Sequence, residues 1–182
     1  MKKQELRAIY KQKRKDLSVS QIEEFQDNIY QQIYNLDFSG VKVAHLFLSL
    51  TKFKEIDTQP IINFLRKLNI KIVVSKSNLK NNTLSHYYLE EETVLELNKF
   101  GVPEPVNAVK VDEQKFDLIF VPMLISDELN YRVGYGKGFY DRFLLKCKED
   151  AKFIGLNFFK PIYQIEDSND FDVPLHQVIY PK

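Results

Sequence analysis

The chain has 182 residues, of which 44% are hydrophobic and 28% are charged, and its 26 basic and 25 acidic side chains leave a net charge of +1. These proportions are typical of a soluble globular protein and exclude disorder of the whole chain. The near-zero net charge argues against a general binder of nucleic acid or membrane surfaces. We therefore expect one domain over residues 1–182, a monomer that binds small molecules and neither nucleic acid nor membrane.

The N-terminus and the cysteine content bear on location. Residues 1–7 are charged and lack the apolar core of a signal peptide. Cys147 is the sole cysteine, so an intrachain disulfide is not possible, and we expect a helix residue without chemistry there. No apolar stretch is long enough to span a membrane. Together these features predict a reducing, cytoplasmic location.

The first third of the chain predicts two helices and a strand. Residues 2–17 are rich in Lys and Arg and carry a narrow apolar stripe. Ser20 and Glu23 match a capping box at the start of a second, amphipathic helix that ends before Gly40. The basic side chains of the first helix are expected to face solvent, with the alternative that they cover the phosphates of a nucleotide. Residues 41–50 are nearly all apolar and predict a strand that is buried on both faces.

The rest of the chain alternates between predicted strands and helices. A helix follows the caps Asp57 and Thr58, and strands are predicted at 70–75, 84–89, 116–121 and 153–158. Residues 101–105 predict an extended turn, Pro122 is expected to stop a strand, and residues 138–149 predict a helix. This alternation predicts an α/β fold, a single-domain three-layer sandwich with a mostly parallel central sheet flanked by helices.

One short segment gathers half of the glycines. The chain has six glycines, and Gly134, Gly136 and Gly138 alternate within one run that leads into the predicted helix. Alternating glycines permit positive φ and a close approach of the backbone to a ligand. The free N–H groups at a helix start attract anions, and Arg132, Lys137 and Arg142 add positive charge. We interpret this segment as a phosphate cradle, although it matches neither the Walker A loop nor the dinucleotide fingerprint.

Acidic residues near this segment are candidate magnesium ligands. Asp141 lies in the first turn after the glycines, where a carboxylate either balances the helix dipole or holds Mg²⁺ against phosphate oxygens. The acidic run 166–172 offers a second carboxylate. His45, His86 and His176 match no metal-ligand spacing, so we expect structural roles for all three.

The run from Arg132 to Asp141 resembles the 5-formyltetrahydrofolate cyclo-ligase family, whose pattern is Arg-x-Gly-x-Gly-x-Gly-aromatic-Tyr-Asp. The strand 117–122, the segment 47–49, the turn 101–105 and the N-terminal Lys3, Leu6 and Arg7 are also similar to that family. The resemblance implies an ATP- and Mg²⁺-dependent ligase that closes 5-formyltetrahydrofolate to 5,10-methenyltetrahydrofolate and releases ADP and phosphate. The similarity extends over almost the whole chain.

The resemblance also implies roles for individual residues. Lys3 and Arg7 would contact the ATP phosphates, and Asp141 and Asp172 would hold Mg²⁺. Leu48 and Glu55 would line the folate pocket, with Glu55 binding the polar edge of the pterin. The nucleotide loop would consist of Arg132, Val133, Gly134, Tyr135, Gly136, Lys137, Gly138, Phe139 and Tyr140. Residues 135–139 of this loop would also contact the folate.

A phosphoryl-transfer reaction explains the residue types present. If the formyl oxygen attacks the γ-phosphorus, N10 can then displace phosphate, and the protein mainly positions the substrates and neutralises charge. We expect Lys137, Arg132 and Tyr140 to be catalytic. Two alternatives remain: a nucleotide- or phosphate-binding regulatory module without folate turnover, and a sugar-phosphate isomerase or acyl-CoA transferase that uses Glu55 or Glu104.

Overall fold

The structure, a computed structural model, describes residues 1–99 and 101–182. Within these ranges the α-helices are α1 (Lys3–Asp16), α2 (Val19–Tyr34), α3 (Gln59–Lys67) and α4 (Phe139–Leu144). The strands are β1 (Val43–His45), β2 (Lys71–Asn78), β3 (Thr83–Tyr88), β4 (Val94–Leu97), β5 (Pro103–Val106), β6 (Lys110–Val111), β7 (Leu118–Pro122), β8 (Ile125–Ser126), β9 (Arg132–Val133), β10 (Lys152–Leu156) and β11 (Gln177–Ile179). No helix in the described ranges has the length and apolar character needed to cross a membrane.

The central sheet has seven strands among the described residues, in the order β11-β10-β7-β1-β2-β3-β6. The five strands from β11 to β2 pair in parallel, whereas β3 and β6 pair antiparallel at one edge. Helix α3 lies in the crossover from β1 to β2 and α4 in the crossover from β7 to β10, whereas the chain passes from β10 to β11 without a helix in the described residues. Two small antiparallel pairs, β4–β5 and β8–β9, lie outside this sheet.

Alternating side chains on the strands build a core on each face of the sheet. Ala44, Ile72 and Phe120 point toward α2 and α3, while their neighbours Val43, Val73 and Ile119 point toward α4. The parallel strands therefore carry apolar residues on both faces, which explains their nearly continuous hydrophobic sequences. The predicted α/β fold with helices on both sides of a mostly parallel sheet is confirmed.

The helix boundaries differ from the sequence prediction at two places. The capping box of α2 is formed by Ser18 and Gln21, not by Ser20 and Glu23, because Ser18 is the residue with extended backbone at the helix start. Helix α4 has six residues and ends at Leu144, well short of the predicted end at 149. Phe143 and Leu144 at its end are buried, whereas the next residue, Leu145, is 67% exposed, so one more helical residue there would gain little from packing. Cys147 therefore lies beyond the helix in which it was predicted.

The strand predicted at 41–50 is reduced to the three residues of β1. After β1 the chain leaves the sheet because side chains replace ladder partners: Thr58 Oγ1 donates to the Phe47 carbonyl at 2.7 Å, and Glu55 Oε2 accepts from the Leu50 amide at 2.8 Å. A 3-10 turn follows at Thr51–Phe53. The segment after β1 thus becomes a loop at the carboxyl end of the sheet, where ligands of open α/β sheets bind.

The extended turn predicted at 101–105 is partly wrong. Pro103–Val106 form β5, which pairs with β4 in a separate two-stranded arm. Its prolines stand opposite Leu95 and Leu97, and they are compatible with this position because a two-stranded arm has free edges. The strand that Pro122 was expected to stop does end there: Pro122 is the last residue of β7 and pairs with Leu156.

Candidate active site

The glycine loop, residues 134–138, connects β9 to α4. Gly136 has φ +95° and Gly138 has φ +64°, conformations that L side chains rarely adopt. A Cβ on Gly136 would lie 3.0 Å from Arg7 Cζ, whereas a Cβ on Gly134 would meet nothing within 4 Å. Glycine is therefore required at 136 by both conformation and close approach, but not at 134.

The backbone amides of this loop are available to a ligand. Within the described part of the chain, the N–H groups of residues 134–138 donate to no protein acceptor. Unpaired backbone donors at a surface are satisfied by water or by a bound anion. Because α4 is short, these amides and the neighbouring cations provide more of the attraction than the helix dipole does.

Helix α1 brings Arg7 to the loop and Lys3 to Asp172. Arg7 Nε donates to the Gly134 carbonyl at 3.0 Å, and the guanidinium packs against Gly136. Lys3 forms an ion pair with Asp172, and both side chains are mostly buried. The sequence expectation that the basic face of α1 is simply solvated is therefore wrong for Lys3 and Arg7.

Arg132 is buried beneath the loop. Its guanidinium donates to Asp141 Oδ1 at 2.7 Å and to the Val173 carbonyl at 2.6 Å. Burial lowers the pKa of Arg132, and the carboxylates of Asp141 and Asp172 act in the opposite direction. Arg132 thus binds Asp141 directly and, through the Val173 carbonyl, the residue that follows Asp172.

These two carboxylates suit a magnesium ion that is shared with phosphate. Asp141 Oδ1 accepts from Arg132 and, at 3.3 Å, from the Val173 amide, while Asp172 Oδ2 accepts from Lys3 and from the Asn169 amide. No cluster of three or more His, Cys, Asp or Glu that could hold a metal occurs among the described residues. Mg²⁺ needs only one or two carboxylates when phosphate oxygens and water complete its coordination, so the donor set fits.

Glu55 contacts the loop at Tyr135. Its Oε1 accepts from the Tyr135 hydroxyl at 2.6 Å, and the same hydroxyl accepts from Arg14 Nη1 at 3.1 Å. Burial, followed by the negative charge of Glu55, raises the pKa of the Tyr135 phenol. The segment after β1 and the glycine loop are therefore joined by a hydrogen bond between two predicted substrate residues.

Arg14 is the site residue that the sequence interpretation missed. It was grouped with the exposed basic face of α1, but only 5% of it is exposed. A signal was present, because Leu6, Tyr10, Arg14 and Leu17 recur at steps of four, four and three residues, so that Arg14 occupies the apolar stripe. A charged residue on a buried stripe indicates a specific partner.

The remaining predicted residues lie around this centre. The Lys137 side chain is exposed, while Phe139 and Tyr140 are half-buried at the start of α4. Burial and then the Glu55 charge raise the pKa of Tyr140, whose ring lies 6.3 Å from that of His45. Leu48 is half-buried against the core beneath α2 and α3.

The sequence suggested that Arg142 adds positive charge to the phosphate cradle, but in the structure its guanidinium binds backbone carbonyls. Its Nη2 donates to the Lys137 carbonyl, and its Nε donates to the Asn82 carbonyl at 2.9 Å.

Glu104, the second carboxylate of the isomerase or transferase alternative, accepts from Asn98 Nδ2 at 3.0 Å and from the Ser77 amide at 3.2 Å.

The fold and the loop define an α/β protein with a glycine segment whose backbone amides have no protein acceptor in the described part of the chain. Over residues 1–181 the sequence matches the model of the 5-formyltetrahydrofolate cyclo-ligase family, and the chain belongs to this family. Family membership confirms the resemblance and the expectation of an enzyme of the ligase class.

Individual relatives agree with this assignment. The chain is 30% identical to the probable 5-formyltetrahydrofolate cyclo-ligase of Schizosaccharomyces pombe, covering 83% of this chain and 76% of the relative. It is 26% identical to the 5-formyltetrahydrofolate cyclo-ligase of Haemophilus influenzae, covering 98% and 97% of the two chains. The solved 5,10-methenyltetrahydrofolate synthetase of Aquifex aeolicus superposes with a TM-score of 0.83 at 26% identity and covers 100% of this chain and 91% of its own.

Proposed function

We propose that this protein catalyses the ATP- and Mg²⁺-dependent closure of 5-formyltetrahydrofolate to 5,10-methenyltetrahydrofolate, with release of ADP and phosphate. The observation that carries the proposal is that the glycine loop contacts two chemically different groups. Arg7 contacts the loop at Gly134 and Gly136, and Glu55 contacts it at Tyr135. One loop thus adjoins both a basic surface for phosphate and a carboxylate for a nitrogen-rich ring.

The phosphate side supports ATP as the second substrate. Unpaired amides of residues 134–138, the exposed Lys137 ammonium and the cations of α1 provide donors for a polyphosphate. Asp141 and Asp172 are the residues that would hold Mg²⁺. When bound, Mg²⁺ would neutralise phosphate charge that the protein's cations leave unbalanced.

The other side supports a folate substrate. A pterin carries N–H and amino donors on one edge, and the Glu55 carboxylate offers acceptors whose orientation is already fixed by Leu50 and Tyr135. The aromatic rings of Phe53 and Tyr135, with centroids 5.9 Å apart, provide an apolar surface beside this carboxylate. Leu48 belongs to the same post-β1 segment and would line the pocket.

The reaction needs the formyl oxygen to become a leaving group. We propose that this oxygen attacks the γ-phosphorus and displaces ADP, which gives a phosphorylated imidate at N5. N10 then adds to the activated carbon, loses its proton, and phosphate departs as the five-membered ring closes. The negative charge that develops in the first step is spread over phosphate oxygens, where Lys137 and the loop amides would stabilise it. Arg132 would act through Asp141, which it orients, and Tyr140 would keep its proton as a neutral hydrogen-bond donor.

An absorbance assay for methenyltetrahydrofolate tests this function directly. Purified protein is mixed with 5-formyltetrahydrofolate, ATP and Mg²⁺, and each component is omitted in turn. We expect product only when all three are present. Binding of ATP by folded protein without product would overturn the proposal and favour the regulatory nucleotide-binding module.

A further inference from the structure

We propose that Arg14 is a positioning residue for the folate substrate, which holds the Glu55 carboxylate in place through the Tyr135 hydroxyl. The inference rests on the proposed function, because it assigns Arg14 a role toward the same substrate. Arg14 lies on α1, the helix whose Arg7 donates to the Gly134 carbonyl of the glycine loop. The same helix would therefore serve both substrates through different residues.

Burial of the Arg14 guanidinium lowers the stability of the protein, and packing of α1 alone would favour an apolar side chain at this position. Its Nη2 donates to the Met123 carbonyl and its Nη1 to Tyr135, while its Nε is buried without an acceptor. A buried guanidinium with an unpaired N–H destabilises a protein relative to an apolar residue of similar volume. Leucine or methionine would fit the stripe between Tyr10 and Leu17 without that penalty. Those residues would lack both hydrogen bonds, and of the two only the bond to Tyr135 reaches the glycine loop.

The direction of the hydrogen bonds follows from the chemistry of the three groups. Arginine can only donate and an ionised carboxylate can only accept, so the single hydroxyl hydrogen of Tyr135 points to Glu55 and its lone pair faces Arg14. The raised pKa of Tyr135 keeps that hydrogen in place at neutral pH. Arg14 thereby fixes the orientation of the Tyr135 hydroxyl, which in turn fixes Glu55 Oε1.

The Glu55 carboxylate is then held at both oxygens. The Leu50 amide binds Oε2 at 2.8 Å, and Tyr135 binds Oε1 at 2.6 Å. Each oxygen retains a lone pair for a donor on the ligand, and the plane of the carboxylate is set before the ligand arrives. Without Arg14 the Tyr135 hydroxyl can rotate away from Glu55, which then loses one of its two hydrogen bonds. The carboxylate would become more mobile, and the entropy lost on ordering it would weaken folate binding.

Steady-state kinetics on Arg14→Gln and Tyr135→Phe test the inference. We expect each variant to raise KM for 5-formyltetrahydrofolate about ten-fold, the effect of losing one hydrogen bond in a charged network, with KM for ATP changed less than about two-fold. The double variant should be no worse than either single one, because both changes break the same chain of hydrogen bonds. Arg14→Lys, which can reach one acceptor but not both, should recover part of the affinity.

The controls separate this role from a structural one and from the proposed function itself. Lys15→Gln removes an equal charge from an exposed position of α1 and should leave both KM values unchanged. A purely structural role for Arg14 predicts that both KM values rise together, or that the effects of Arg14→Gln and Tyr135→Phe add, and either result would overturn the inference. If the wild type turns over and Arg14→Gln has a normal KM for 5-formyltetrahydrofolate, the inference about Arg14 is overturned and the proposed function stands. If the wild type neither binds 5-formyltetrahydrofolate by calorimetry nor forms product, the proposed function fails as well.

Discussion

At the scale of single residues, the cations around the glycine loop differ in what they already bind. Arg132 donates to Asp141 and to a carbonyl, and Arg142 donates to two carbonyls, so both are engaged with the protein. Lys137 is exposed at the centre of the loop. Its ammonium can move to the phosphates without breaking a protein contact, and this makes it the first choice for a group that stabilises the transferring phosphoryl group.

Lys137→Ala should therefore affect turnover more than folding. We expect kcat to fall by roughly 10²–10³-fold, the range for loss of one preorganised donor to developing charge. The melting temperature should stay within about 2 °C, because an exposed side chain is lost. Lys160→Ala, at another exposed position, serves as the matched control. Near-normal kcat at saturating ATP and folate would exclude Lys137 from the chemistry.

Two glycines of the loop give a paired test of its geometry. Gly136→Ala puts a Cβ at φ +95° and 3.0 Å from the Arg7 guanidinium, whereas Gly134→Ala puts one where nothing lies within 4 Å. An alanine at positive φ costs about 1–2 kcal/mol, so Gly136→Ala should raise KM for ATP about ten-fold or more, and Gly134→Ala much less. Equal effects in ATP titrations of the two variants would show that the close packing of Arg7 on the loop is unimportant.

At the scale of secondary structure, periodicity predicted the elements that pack by simple amphipathic rules. Helices α1, α2 and α3 and the parallel strands follow this pattern, and their apolar residues form the two cores. The prediction fails where a side chain replaces a backbone partner. Thr58 and Glu55 end β1 early, and Ser18 rather than Ser20 caps α2.

The site was predicted from the sequence less completely than the fold. Its glycine pattern predicted the loop, and the structure brings Arg7 and Glu55 to it from 127 and 80 positions away in the chain. The hydrogen bond from Arg14 to Tyr135 joins residues 121 positions apart. This contact depends on tertiary packing, which the sequence pattern does not specify. The only sequence signal for Arg14 was its position on the apolar stripe of α1, and this signal is weak on a helix with many basic residues.

Asp127 is a clear example of an element stabilised by one side chain. The buried carboxylate follows β8 and accepts from the amides of Leu129 at 3.1 Å, Tyr131 at 2.9 Å and Ile165 at 3.0 Å. It thus closes the β8–β9 hairpin and ties the hairpin to the segment that packs under α1. Removal of the carboxylate would leave three buried or half-buried donors without an acceptor.

Asp127→Ala should lower the free energy of unfolding by about 2–4 kcal/mol, since each amide bond to a charged acceptor contributes about 1–2 kcal/mol and water replaces part of the loss. Urea denaturation followed by circular dichroism measures the change. Asp170→Ala removes an exposed carboxylate and should change stability by less than about 0.5 kcal/mol. A similar, small effect of both variants would contradict the assigned role of Asp127.

At the scale of the whole molecule, the core under α4 contains a polar network. His45 Nε2 and His86 Nδ1 both bond to Ser75 Oγ, at 2.7 and 2.9 Å, and the rings pack against Phe116 and Phe143. Both histidines are fully buried and belong to β1 and β3, two strands apart. This network therefore connects the central sheet to the helix that follows the glycine loop.

The same burial makes stability depend on pH. Desolvation, and then nearby positive charge, lowers the pKa of His86 to about 4, and desolvation lowers that of His45 well below its ordinary value of 6.5. The unfolded chain therefore binds protons that the folded chain does not. The contribution of each histidine is complete above pH 6.5 and is lost as the pH falls through 6.5 toward the folded pKa. His176 is shifted in the same direction.

Between pH 7.5 and 5.0 we expect His86 alone to reduce the free energy of unfolding by about 2 kcal/mol, and His45 to add to this loss. Urea denaturation at the two pH values measures the difference. His86→Asn keeps a polar atom near the position of Nδ1 but cannot be protonated, so its pH-dependent loss should be smaller by that amount. An equal pH dependence in wild type and variant would mean that His86 is not held neutral in the folded state.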